Sequence, residues 1–218
     1  MAKKVIIKEE AKKRLFEAMM EGFSFDELSK ITSYAGRVRY CRQYLGNPIG
    51  NGSSRTVFQI DDEKVLKLAK NRKGTAQNES EYEKGNDWYI NHLFPNVFEG
   101  SDDKYYQWIV AEYVLPAKKE DFLHVLNMPF GDVTMFITSL IRNNVRLERE
   151  LYQKYEKVEN EDAVIFFNNL CNLYRGYDML IQDFAWLQNW GIAQRNGVTQ
   201  IVALDAGCTQ EIYNRFYR

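Results

Sequence analysis

The predicted fold is organised around one segment, Asp183-Phe-Ala-Trp-Leu-Gln-Asn189-Trp-Gly-Ile-Ala-Gln-Arg-Asn-Gly-Val-Thr-Gln-Ile-Val-Ala-Leu-Asp205-Ala-Gly207. It contains two short apolar segments separated by Asn196-Gly197. An Asn-Gly pair between apolar segments predicts a β-hairpin, because both residues accept the positive φ of a two-residue turn. A hairpin brings its outer ends together. We therefore expect Asn189, before the first strand, to lie near Asp205, after the second.

The residues at this hairpin mouth suggest a metal site. Amide and carboxylate oxygens are ligands suited to Mg²⁺, which can also hold phosphate groups. The alternative is that Asn189 and Asp205 are ordinary turn residues at strand ends, where Asn and Asp are common. These two residues alone do not decide between the alternatives.

The composition indicates a packed globular protein of one or two domains, with 218 residues and a formal net charge of -1. That charge balance predicts no general affinity for nucleic acid or for a membrane surface. The three cysteines have no metal-ligand spacing, which is typical of reduced intracellular thiols. The first apolar run is too short for a signal peptide and no run approaches membrane length, so we expect a cytoplasmic protein.

Helix formers predict a first helix over residues 8–22 and a second from Asp26 to about Tyr44. The second is preceded by the capping-box pattern Ser24-Phe-Asp-Glu27. Its basic residues form either a cationic face or, as charge runs usually do, a solvated surface. These residues are Arg37, Arg39 and Arg42.

A glycine-rich turn follows, because Leu45 to Ile60 has the pattern of a strand, a turn at Gly50-Asn-Gly52-Ser-Ser54, and a second strand. Without Cβ atoms, the turn's backbone N–H groups can approach phosphate oxygens closely. A third strand is predicted over 64–70. Its Lys67 lies between Leu66 and Leu68 and either serves a site under the glycine turn or extends to solvent.

A helix predicted from Gln77 to Ile90 carries two candidate partners for Lys67. Glu81 is the preferred partner and Glu79 the rival, unless both are exposed acids favoured by the helix dipole. The apolar run from Tyr105 to Pro116 predicts a buried strand. Further helices are predicted over 118–126, 132–143, 145–157 and 162–176.

Taken in order, these segments resemble the protein-kinase-like fold, and the loop before Asn189 is similar to minimal phage-encoded kinase-like proteins. The resemblance makes Lys67 the residue that grips the nucleotide phosphates and Glu81 the acid that positions it. It implies an adenine-binding hinge at 111–114 and a metal motif at Asp205-Ala-Gly207. The implied nucleotide-binding residues are Gly50, Asn51, Gly52, Ser53, Ser54, Lys67, Glu81, Glu112 and Val114, and the implied Mg²⁺ ligands are Asn189 and Asp205.

The sequence departs from the family pattern in two places. The glycine loop has no third glycine, and alanine replaces phenylalanine in the metal motif. Five residues separate Asp183 from Asn189 where the family has four, so strict register assigns Phe184 to the position of the base. The His-Arg pair of the family loop is also absent. Asp183 is the candidate catalytic base, with Lys67 as the other catalytic residue.

The resemblance implies an α+β fold with two kinase-like lobes: an N-terminal helical extension (1–43), an N-lobe (44–115) and a truncated, mostly helical C-lobe (116–218). Because 11 residues follow Gly207, we expect the substrate platform to come from the N-terminal helices or from a partner protein.

Three functions remain open. The first is a minimal phosphotransferase that binds ATP and Mg²⁺ and moves the γ-phosphate to a protein or small-molecule hydroxyl. The alternative is a pseudokinase that acts as an interaction or regulatory module on another protein. A structural α+β domain with accidental motif matches is the third, because isolated motifs do mislead.

Overall fold

The computed structural model describes residues 22–101, 106–204 and 207–217. Helices and antiparallel strands are both present, so the chain has an α+β fold. The chain divides into two compact units: the first comprises 1–78 and 98–111, and the second 79–97 and 112–218. The helix predicted over 8–22 lies outside the described residues apart from Gly22.

The helices begin and end as follows: α1 Phe25–Lys30, α2 Tyr34–Leu45, α3 Arg72–Asn86, α4 Lys119–Leu126, α5 Phe130–Ile141, α6 Val145–Glu156, α7 Glu161–Gly176 and α8 Gln210–Phe216. The strands are β1 Gly50–Asn51, β2 Arg55–Gln59, β3 Lys64–Ala69, β4 Val97–Gly100, β5 Trp108–Glu112, β6 Leu115–Pro116, β7 Trp190–Arg195 and β8 Val198–Ala203. Within the described residues, no helix combines the length and apolar character needed to cross a membrane.

The first unit is built on a five-stranded sheet with strand order β1-β2-β3-β5-β4. Strands β1, β2 and β3 pair antiparallel in sequence order. Alternate residues of β2 are fully buried, which is the period-two pattern of a strand with one face against a core. On β3 every residue after Lys64 is buried, so this central strand is covered on both faces.

The two N-terminal helices α1 and α2 pack on one face of this sheet. Leu28, Cys41 and Leu45 form a buried cluster with sheet residues that include Phe58 and Leu66. The indole N–H of Trp108 on β5 also donates to the Ser29 hydroxyl at 3.1 Å. The helices are therefore part of the core of the first unit, a role that the sequence left undecided.

The single helix predicted from Asp26 to Tyr44 is wrong, since the chain breaks at 31–33 into α1 and α2. Ser33 starts the second helix by accepting a hydrogen bond from the N–H of Gly36. The Arg37 guanidinium donates to the carbonyl of Ile31 and to the side chain of Gln107, and Arg37 is buried. Arg37 therefore does not belong to a cationic surface.

The strand predicted from Leu45 is also wrong. Leu45 is buried with Cys41 one turn earlier on the same helix face, which extends the helix to that residue. Gly46 adopts a φ of 79° and ends it. Strand pairing then begins only at Gly50, which pairs with Val57.

Helix α3 starts and ends earlier than predicted. The Asn71 side chain accepts a hydrogen bond from the N–H of Gly74 and acts as the N-terminal cap. The helix ends at Asn86, after which the carboxylate of Asp87 accepts from the N–H of Tyr89 in a turn. The apolar run 105–116 likewise divides, with β5 in the five-stranded sheet and β6 in a second sheet.

The second unit combines helices α4 to α7 with a three-stranded antiparallel sheet of order β6-β7-β8. Its core is rich in aromatic contacts, such as the stacked pair Phe136 and Phe167 with ring centroids 4.0 Å apart. The hairpin predicted around Asn196-Gly197 is confirmed. Its two turn residues have φ values of 52° and 78°, and the strands pair from Arg195↔Val198 to Trp190↔Ala203.

Candidate functional site

Lys67 lies in one row with the glycine hairpin of the first unit. The register pairs Lys67 with Val57, and Val57 with Gly50. Side chains that are directly opposite in neighbouring strands point to the same face of a sheet. Lys67 is 8% exposed and lies on the face opposite Leu66 and Leu68, which pack against the N-terminal helices.

The two glycines of the hairpin are not required by its backbone. Neither Gly50 nor Gly52 has a positive φ. A Cβ at Gly52 would meet nothing closer than the Arg55 carbonyl at 3.8 Å, and one at Gly50 would make an ordinary 3.5 Å contact with Val57. Both positions therefore tolerate a methyl group in the protein as it stands.

The tip of this hairpin is held by side chains that sequence reasoning missed. Lys70 donates from Nζ to the Gly52 carbonyl, and Lys73 donates from Nζ to the Ser53 hydroxyl at 3.0 Å. Asn71 donates to the Ser53 carbonyl at 3.4 Å. We call Lys70, Asn71 and Lys73 the lysine clasp. Its signal in the sequence was the basic run Lys70-Asn-Arg-Lys73 directly after β3.

The remaining hairpin residues have structural partners. The buried Ser54 hydroxyl donates to the side-chain oxygen of Gln77, and its carbonyl accepts from the N–H of Lys70 at 2.8 Å. The Asn51 side-chain oxygen accepts from the Thr56 hydroxyl at 3.0 Å. The backbone of the hairpin, more than these side chains, is therefore the part available to a ligand.

Burial distinguishes the two acids on α3. Glu81 is fully buried and Glu79 is exposed. Glu81 also lies near Lys84 on the same helix: burial lowers the pKa of Lys84, and the charges of Glu83 and Glu81 oppose that shift. Lys67 belongs to the first unit and Glu81 to the second, and their pairing stays a prediction.

The hinge predicted at 111–114 begins with a structural ion pair. The Glu112 carboxylate accepts from the Arg195 guanidinium on β7 and from the N–H of Asn96 at 2.9 Å. Only 12% of the Glu112 side chain and 15% of the Arg195 side chain are exposed. The Glu112 carboxylate is thus occupied by partners in the second unit. In the predicted hinge, adenine would therefore contact Glu112 only through its backbone.

Val114, the other predicted hinge residue, is half-buried beside the β7–β8 hairpin. A Cβ at Gly191 on β7 would come within 2.9 Å of the Val114 side chain and 2.7 Å of the Leu204 side chain. Glycine at 191 therefore permits β7 to approach Val114 and Leu204 closely. Leu204 is the residue directly before Asp205.

The loop that carries Asp183 and Asn189 is made of two consecutive 3₁₀ turns, Ile181–Ala185 and Leu187–Asn189. The Asn189 side-chain N–H donates to the Asp183 carbonyl at 2.7 Å. This hydrogen bond engages the amide through its nitrogen, and the oxygen Oδ1 accepts no hydrogen bond from the described residues. An amide oxygen is a ligand type that suits Mg²⁺.

The predicted metal ligand Asp205 lies outside the described residues, and the structure describes the chain on both sides of it. Before it, the N–H of Leu204 donates to the Asn189 carbonyl at 2.9 Å. After it, the Cys208 carbonyl accepts from the N–H of Leu180 at 3.0 Å. The flanks of Asp205 are therefore bonded to both ends of the loop. Across the described ranges, no group of three or more His, Cys, Asp or Glu is arranged to hold a metal.

Each unit thus brings together part of the predicted site. The first unit aligns the glycine hairpin, Lys67 and the lysine clasp. The second gathers Asp183, Asn189, Val114 and the flanks of Asp205. No model of a known protein family matches the chain, and no curated protein matches it.

Proposed function

We propose that this protein is a kinase-like phosphotransferase that binds ATP and Mg²⁺. In this proposal, Lys67 and the hairpin 50–54 of the first unit hold the phosphates, and Asn189 and Asp205 of the second unit hold the metal. Asp183 orients the acceptor hydroxyl. Phosphoryl transfer depends mainly on positioning and on neutralising charge, so this small set of residues is sufficient for the chemistry.

The observation that carries the proposal is the row formed by Gly50, Val57 and Lys67 on three neighbouring strands. The glycines at positions 50 and 52 strengthen it, because the protein's own structure does not require them. Neither packing nor backbone conformation requires glycine at positions 50 and 52. Close approach of a ligand to the backbone is a further physical reason for glycine in a strand. A buried lysine on the same face supplies the charge that a phosphate would need.

Calorimetric titration of ATP with and without Mg²⁺ tests the binding site. We expect Lys67→Ala and Asp205→Ala each to weaken Mg-dependent binding by about 10- to 100-fold, because each removes a charged contact. Lys64→Ala, at the start of the same strand, is the matched control and should bind normally. Unchanged ATP affinity in both site variants, with melting temperatures also unchanged, would refute the assignment.

The pseudokinase alternative is favoured by one observation, the extra loop residue between Asp183 and Asn189. Measuring loss of the γ-phosphate from bound ATP separates the two functions. If Asp183 acts as the base, Asp183→Asn should keep ATP affinity and lower turnover by about 100-fold or more. Tight Mg-dependent binding with no turnover in the unaltered protein would instead support the pseudokinase.

A further inference from the structure

The lysine clasp places two ammonium groups at the tip of the glycine hairpin, both within the first unit. Lys70 Nζ contacts the Gly52 carbonyl, and Lys73 Nζ contacts the Ser53 hydroxyl at 3.0 Å. The backbone N–H groups of Ser53 and Ser54 donate to no described residue. Two cations and two N–H donors at one turn form an environment that favours an anion.

The hairpin and the clasp are held together by a close backbone approach. A Cβ at Gly74, in the first turn of α3, would overlap the Ser54 carbonyl oxygen and lie 3.1 Å from the Cα of Ala69. The Asn71 side chain caps the same helix and also reaches the Ser53 carbonyl. The lysines are therefore presented to the hairpin by a defined helix start.

Holding the hairpin in place does not require positive charge. The uncharged side chains of Asn71 and Gln77 already bond the tip to the start of α3. Lys70 forms no ion pair with any described residue, and its ammonium is bonded instead to a neutral carbonyl. A cation bonded to a neutral acceptor gains more from an anionic one, since charge-assisted pairs are stronger.

We propose that Lys70 and Lys73 bind the phosphate chain of the nucleotide, exchanging their present acceptors for phosphate oxygens. The inference rests on the proposed function and extends it. It assigns phosphate binding to two lysines that follow β3. Arg55 occupies the position at which the glycine loop of the kinase-like pattern has its third glycine. The ligand chemistry is a polyphosphate, with the base recognised elsewhere.

The test compares ATP, adenosine and inorganic triphosphate by calorimetry with the full chain. We expect the double variant Lys70→Met/Lys73→Met to bind ATP and triphosphate at least 10-fold more weakly and adenosine with unchanged affinity. Lys119→Met/Lys157→Met, two exposed lysines of the second unit, removes the same charge and should behave like the unaltered protein. Lys70→Arg/Lys73→Arg should retain most of the binding.

The outcomes separate this inference from the proposed function. An equal loss of adenosine and ATP affinity would mean that the clasp only shapes the hairpin, and no loss would mean that it does not contact phosphate. Either result overturns the inference. If the unaltered protein binds ATP and triphosphate, the double variant binds both at least 10-fold more weakly, and the unaltered protein transfers no phosphate, the phosphotransferase function fails and the inference stands. Failure of the unaltered protein to bind either ligand overturns both.

Discussion

The two hairpins of the molecule differ in what holds their turns. The β7–β8 turn is shaped by its own backbone, with Asn196 and Gly197 both at positive φ. The β1–β2 turn has no positive φ and is held by Lys70, Asn71 and Lys73 from a later segment. A turn of the first kind can be recognised from two residues of sequence. A turn of the second kind depends on contacts that sequence proximity does not reveal.

The largest loss of stability is expected at Arg195 of the β7–β8 hairpin, because its guanidinium pairs with Glu112, a residue distant in sequence. Arg195→Ala leaves the Glu112 carboxylate buried without its cation and removes a hydrogen bond to the Phe94 carbonyl. We expect a loss of about 3 kcal/mol in the free energy of unfolding, measured by urea denaturation.

The matched control is Arg146→Ala, which breaks an exposed ion pair with Glu150. Such surface pairs contribute about 0.5 kcal/mol or less. Similar losses in Arg195→Ala and Arg146→Ala would show that the buried pair does not anchor the hairpin.

An intermediate loss of stability is expected at the β1–β2 hairpin, whose turn the lysine clasp holds. Gly74→Ala places a methyl group against the Ser54 carbonyl, so the hairpin must move away from α3. We expect a loss of about 2 kcal/mol in unfolding free energy, because overpacking outweighs the better helix propensity of alanine. Hydrogen exchange should show faster exchange at the hairpin than at β7–β8.

Gly131→Ala provides the control for this substitution. Gly131 also lies in a helix, α5, but a Cβ there would meet nothing within 4 Å. Alanine should be neutral or stabilising at that position by up to about 1 kcal/mol. A stabilising effect at Gly74 as well would mean that the close approach to Ser54 is absent.

The smallest loss of stability is expected at the β7–β8 turn, which its own backbone shapes. Gly197→Ala retains open space around the new methyl group, so its only cost is a positive φ for alanine. We expect a loss of about 1 kcal/mol in unfolding free energy, and Asn196→Gly should cost less. A loss at Gly197→Ala as large as at Gly74→Ala would remove the distinction between the two hairpins.

The same distinction explains which predictions succeeded. Local patterns were sufficient for the Asn196-Gly197 hairpin, for β3 and for the N-terminal cap at Ser24, which accepts from the N–H of Glu27. The break after α1 was missed because a buried arginine, Arg37, bonds the carbonyl of Ile31. No local pattern indicates that an arginine will be used in this way.

The features of the candidate site also differ in whether the sequence alone predicts them. The alignment of Lys67 with the glycine hairpin follows from strand alternation and hairpin length, both of which the sequence specifies. The bond from Asn189 to the Asp183 carbonyl depends on two 3₁₀ turns that have no distinct sequence signature. The lysine clasp was missed because a basic run usually faces solvent.

The discontinuous course of the chain through the two units affects how the protein can be made. A fragment ending at Ala111 would contain every described element of the first unit except the last residue of β5, and would also carry 79–97. That excursion includes Ile90, Leu93 and Phe94, which are buried in the core of the second unit. During synthesis, more than twenty further residues must be added after Phe94 before the next residue of this core, Ala117, is made. Expression of either unit alone is therefore expected to yield insoluble material, and the two units should be produced as one chain.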